Sequence, residues 1–171
     1  PVLRRSAMKA FLDGYYQALK VILTVLMGII IIPVSLQILS RYTGVIPRYI
    51  WTEEVARFCF VWIIMIGAMI AVRDDSHFDV DLFARSRTKT GEAIRNLIVH
   101  MSIAIMAIFF LGYGIKFVQF GWIQNSEMSG INMATIYLAF PLAGLTWLLF
   151  VGEKIVADIQ LIRIKHSGQN Q

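Results

Sequence analysis

Four stretches of this chain are each long and apolar enough to cross a lipid bilayer, and little sequence lies between them. Crossing takes about 20 mostly apolar residues wound as a helix, because hydrocarbon gives backbone N–H and C=O groups no partner and a helix satisfies them internally. The stretches cover roughly 18–40, 55–72, 93–123 and 133–152. With 57% hydrophobic and only 16% charged residues in a chain of 171, nothing is left over to build a second, soluble core. The prediction is all-α: one four-helix integral membrane domain over 1–171, with short amphipathic interfacial helices at its edges. In the lead, Met8, Phe11, Leu12, Tyr15 and Tyr16 fall at helical spacing against Lys9, Asp13 and Gln17. In the tail, Ile155, Ile159 and Ile162 do so against Asp158 and Arg163. The first apolar run is too long for a cleaved leader and reads as a retained anchor.

A net charge of +5 raises the question of nucleic acid, but the basic residues sit in short connections beside the spans, with no basic soluble face. Their placement instead fixes an expected topology. Arg4, Arg5, Lys9 and Lys20 precede or open the first span, Arg73, Arg85, Arg87, Lys89 and Arg95 separate the second from the third, and Lys154, Arg163 and Lys165 follow the fourth. The other connections hold Arg41 and Arg48, while Gln124 to Asn132 has no Lys or Arg. By the positive-inside rule both termini are cytoplasmic. Tyr42, Tyr49, Trp51, Trp122 and Tyr137 form the aromatic belt expected at the outer interface.

The second span is framed by unusual charge. Trp51-Thr52-Glu53-Glu54-Val55-Ala56-Arg57 leads in, with Thr52 as a candidate cap, and either carboxylate is one turn from Arg57. Two readings stand side by side: a snorkelling ion pair that caps a helix, or a structural brace and partner-binding surface formed by Trp51, Glu53, Glu54, Arg57 and, from the third span, Lys116. Lys116 lies about 9 Å along the helix from Trp122, so its stem reaches the outer interface. Gly67, Ala68 and Ala71 are small enough for a second helix to approach closely, as are Ala139, Ala143 and Gly144 in the fourth span. Pro33 is expected to kink the first span. The exit reads Arg73-Asp-Asp-Ser-His77-Phe-Asp-Val-Asp81.

His77, Asp79 and Asp81 share one face if extended, but with no second His or Cys nearby Asp81 serves better as a helix cap, and no metal site is expected. A single Cys59 excludes an internal disulfide. His100 alone in its span gives no axial pair for haem, which argues against an electron-transfer enzyme. A proton-coupled pump would want a carboxylate inside the membrane, and every Asp and Glu lies at a span end or outside one. Neither enzyme nor cofactor carrier is indicated.

Taken together, Arg41-Tyr42, the Trp51 to Arg57 entry, Gly67-Ala68, and Arg73 to His77 with Val80-Asp81 resemble the small membrane subunit (DctQ-like, Q subunit) of tripartite ATP-independent periplasmic (TRAP) transporters. The detailed match covers 40–83; the rest agrees as a four-span plan. The resemblance implies a sodium-coupled secondary transporter for organic acids such as sialic acid or dicarboxylates. Its large membrane subunit (M) moves substrate, a periplasmic binding protein (P) delivers it, and a small subunit braces the large one and helps dock the binding protein. It implies no cofactor, and membrane lipids as the surroundings. The alternative is a standalone four-span lipid-binding or membrane assembly protein.

Overall fold

A computed structural model describes residues 2–43, 50–74, 89–127 and 129–168. Pro47, Tyr49, His77 and Asp81 lie outside the described residues. Among the described residues five helices follow in order: α1 (Val2–Thr43), α2 (Ile50–Arg73), α3 (Lys89–Trp122), the single turn α4 (Ala134–Tyr137) and α5 (Ala139–Gly168). Four windows are long and apolar enough to cross a membrane: Ala10–Thr43, Trp51–Arg73, Asn96–Trp122 and Ala134–Val156.

The boundaries differ from the expectation in informative ways. The amphipathic lead and tail are continuous with the spans in α1 and α5, and the helices run on through Gly14 and Gly152. At 42 residues α1 is about 63 Å long, twice the ~30 Å of hydrocarbon, so it tilts or projects beyond the bilayer. It continues through Pro33. Because α2 starts at Ile50, Thr52 is buried inside its first turn and is not the cap.

The helices form an open row. α1 packs on α2, α2 on α5, and α5 on α3, with α4 lying across one end. The α5 window is the most buried at 50%, against 22% for α3, 17% for α2 and 6% for α1. The shared core joins Leu12 and Leu19 of α1, Ile66, Met69 and Val72 of α2, Ala107 of α3, and Ala143, Trp147, Phe150 and Val151 of α5. Phe110 stacks at a tilt on Trp147 with ring centres 4.9 Å apart.

Helices α3 and α5 approach each other closely at two glycines. A methyl group placed on Gly114 would lie 2.7 Å from the backbone nitrogen of Pro141, and one on Gly144 would lie 2.7 Å from the Ala107 carbonyl, so only glycine fits. Ala139 and Ala143, expected at a close contact, are fully buried there. Gly67 differs: a methyl group there meets nothing within 4 Å, while its neighbour Ala68 packs against the core.

The 123–133 connection folds back on itself. Ser126 N–H donates to the Ile131 carbonyl at 2.9 Å and Met133 N–H to the Gln124 carbonyl at 3.0 Å. The Asn132 side chain donates to the Trp122 carbonyl and accepts from the Ala134 N–H, both at 2.9 Å, tying the end of α3 to the start of α4. Trp62 of α2 reaches across to donate to the Thr135 carbonyl at 3.2 Å.

Candidate functional site: two polar ends of one row

Apolar side chains fill the middle of the row, and most of the described ionisable groups gather at its two ends. At the end bearing Trp122, Arg57 lies 3.5 Å from Glu53, in a pair whose side chains are 62% and 70% exposed. Such a pair contributes at most a few tenths of a kcal/mol, roughly the value of an exposed i,i+4 contact. Glu54, one residue on, turns the other way: one carboxylate oxygen accepts from the Ser126 hydroxyl of the folded connection. Its second oxygen is buried, with no hydrogen-bond partner among the described residues. Beside it a cavity of about 460 Å³ is lined by Glu54, Arg57, Phe58, Gln124, Asn125, Ser126, Glu127 and Met133.

The opposite end is closed. Arg73, the last residue of α2, donates to Asp13 of α1 at 2.6 Å and to Glu153 of α5 at 2.8 Å, bridging three helices with one guanidinium. Its flat face lies 5.2 Å from the Phe150 ring centre. Lys154 donates to the Val72 and Arg73 carbonyls, both at 2.9 Å, placing positive charge on the negative C-terminus of α2. Thr146 already donates to the Leu142 carbonyl at 2.8 Å, so the 2.9 Å contact between Tyr15 and Thr146 has Tyr15 as donor. Tyr16 donates to Asp74, and the Lys20 ammonium lies 4.3 Å from the Tyr16 ring centre.

The residues singled out in the sequence are thus divided. Glu53, Glu54 and Arg57 come together at the Trp122 end, with Trp51 half-exposed on the same first turn. Lys116 does not join them: it is exposed on α3 with its ammonium 5.5 Å from the Tyr113 ring centre. Arg73, singled out as part of an exit loop, belongs to the helical clamp. Its partners Asp13 and Glu153 were not singled out, nor was Ser126, because each pairing crosses 60 to 80 residues of chain. The available signal was modest: Asp13, Arg73 and Glu153 all fall at span ends on one expected membrane face. Among the described residues no group of three or more His, Cys, Asp or Glu could hold a metal.

Four helices long and apolar enough to cross a membrane, with polar clusters at the two ends of the row, describe a multi-pass membrane protein, and its sequence relations are specific. Residues 17–161 match the family described as tripartite ATP-independent periplasmic transporters, DctQ component. The chain belongs to that family, whose members are transporter permease components and not enzymes. It is 25% identical over 156 residues to a putative TRAP transporter small permease protein of Haemophilus influenzae, covering 91% of this chain and 96% of that one. The sialic acid TRAP transporter small permease protein SiaQ of Vibrio cholerae is 26% identical, covering 84% of this chain and 82% of SiaQ. A third relative, the isethionate TRAP transporter permease protein DctMQ of Oleidesulfovibrio alaskensis, is 27% identical over 81% of this chain but only 23% of its own length. In that protein the matching region is the smaller part of a longer permease.

Proposed function

We propose that this chain is the small permease subunit of a sodium-coupled TRAP transporter for organic-acid uptake across the bacterial inner membrane. It braces the large membrane subunit and helps dock the periplasmic substrate-binding protein. The observation that carries this reading is the open row: α1 and α3 are edges with exposed apolar faces, such as Val25, Ile29 and Ile32 on α1 and Ile105, Ile108 and Phe109 on α3. A large membrane partner covers such edges without any change in the row. Transport cores, by contrast, carry broken helices and polar groups near mid-membrane, whereas the polar clusters here lie at the two ends. Family membership and the DctMQ relative support the same reading, and sialic acid and isethionate, named for two relatives, are candidate substrates. The Trp122 end then faces the periplasm and the Arg73 end the cytoplasm.

The test is uptake into proteoliposomes. The small subunit alone gives none; uptake appears only with the large subunit, the binding protein and a sodium gradient together. Sodium-driven uptake by the small subunit alone removes this reading, and full uptake without it leaves the standalone membrane protein as the better description. Orientation is tested by cysteine labelling at Glu127, which is exposed, in preference to Ser126, which is buried against Glu54. An impermeant thiol reagent labels Glu127→Cys in intact cells and leaves Thr88→Cys unmodified; the reverse pattern inverts the topology.

A further inference from the structure

We propose that the cavity beside Glu54 is a socket for one cationic side chain, an arginine, projecting from the large permease subunit. The proposal rests on the reading of this chain as a small permease. Its starting point is a carboxylate that the chain itself only half satisfies. A carboxylate offers about four acceptor positions, yet Glu54 takes one bond, from Ser126, and its other oxygen is buried without a partner among the described residues. The nearest described cation, Arg57, is turned to Glu53.

Charge at the cavity selects the sign of the occupant. Among the described residues Glu54 and Glu127 line it, with Glu53 next in sequence to Glu54, against the guanidinium of Arg57, itself held by Glu53. An anionic group, a lipid phosphate included, is repelled. Size and chemistry then decide the kind of cation. About 460 Å³ is far more than one ion fills, and no metal-ligating group of three exists among the described residues. A side chain fits better: Phe58 and Met133 give apolar walls for an aliphatic stem, and Gln124 and Glu127 add polar groups to the lining beside Glu54. Arginine supplies five N–H donors in a fixed plane, which suits several acceptors better than an ammonium does. The source is the large subunit because in the DctMQ relative the matching region is covalently part of a longer permease, so its surface stands permanently beside the rest of that protein.

The experiment co-expresses the tagged small subunit with its large permease subunit and quantifies the large subunit recovered in mild detergent. Glu54→Gln keeps the size of the side chain and an oxygen for Ser126 while removing the charge; recovery falls at least about tenfold, as for loss of one partner of a desolvated charge pair. Glu54→Arg abolishes recovery, and exchanging one arginine on the outer face of the large subunit for glutamate restores it, which a misfolded variant could not do. If Glu54→Gln recovers as much large subunit as the parent, the Glu54 charge holds no partner cation and the socket is wrong, with the small-permease reading intact. If no arginine exchange rescues Glu54→Arg, the socket is likewise wrong. If the parent itself recovers no large subunit, the small-permease reading fails and the socket with it.

Discussion

At the Arg73 end Asp13, Arg73, Glu153 and Lys154 each have a partner on another helix of the same chain, whereas at the Trp122 end Glu54 is bonded on one side only and borders an open cavity. The first end ties α1, α2 and α5 together with Asp13, Arg73, Glu153 and Lys154; the second touches the α2 entry and the 123–133 connection and leaves space between them. A protein that folds to work alone has no reason to treat its ends so differently. The closed end stabilises the row by itself, and under the proposal made above the open end is completed by another molecule.

The sharpest way to break that contrast is Arg73→Met. Removing the guanidinium strands Glu153, whose side chain is 21% exposed, beside Asp13, whose side chain is 66% exposed. Loss of one partner from a buried pair costs about 3 to 5 kcal/mol, and with Asp13 in solvent the lower figure applies. A large fall in the melting temperature of the isolated subunit is expected, with Arg73→Lys recovering only part because an ammonium cannot fork to two carboxylates as a guanidinium does. Next comes Lys154→Met, which removes two charge-assisted bonds from the end of α2 and is expected to cost about 1.5 to 3 kcal/mol in the same melting assay. Tyr15→Phe removes one neutral hydrogen bond to Thr146 and leaves the ring packed 6.1 Å from that of Phe150, so about 1 kcal/mol is expected. Smallest of all, Glu53→Gln breaks only an exposed pair, and the isolated subunit is expected to melt within experimental error of the parent. Its effect, if the outer face docks the binding protein, appears in uptake at limiting binding protein with complex assembly intact. Should Glu53→Gln destabilise the isolated subunit as much as Arg73→Met, the division into a closed and an open end is untenable.

The four spans were legible in the sequence because apolar length alone makes a spanning helix, and the Trp51 to Arg57 entry was legible because residues one turn apart must meet. The neighbour order α1, α2, α5, α3 was not. Each helix is apolar on most sides, since lipid-facing and helix-facing positions look alike in composition, so no apolar stripe marks the packed face. The small residues show the same limit. Ala143 and Gly144 do face another helix, but Gly67, read from the same composition, faces open space, and Gly114, which receives Pro141, went unremarked. At the site, Glu53 and Glu54 both stand one turn from Arg57, and the sequence leaves the choice between them open. The structure pairs Arg57 with Glu53, and Glu54 is held by Ser126 from a connection 72 residues away. Only tertiary folding brings that connection into reach, and only then does Glu54 become the unfinished group.

The central claim, that the Trp122 end is completed by a partner, is tested most directly by melting Glu54→Gln twice, as the isolated small subunit and within the complex with the large subunit. Alone, the variant keeps its bond to Ser126 and loses no charge pair, so its melting temperature stays within about 2 °C of the parent, a shift worth under 1 kcal/mol in a protein of this size. In the complex it melts well below the parent complex, because the large subunit's cation has lost its carboxylate. Equal shifts in both samples, or a fall confined to the isolated subunit, would show that Glu54 serves the fold of this chain alone.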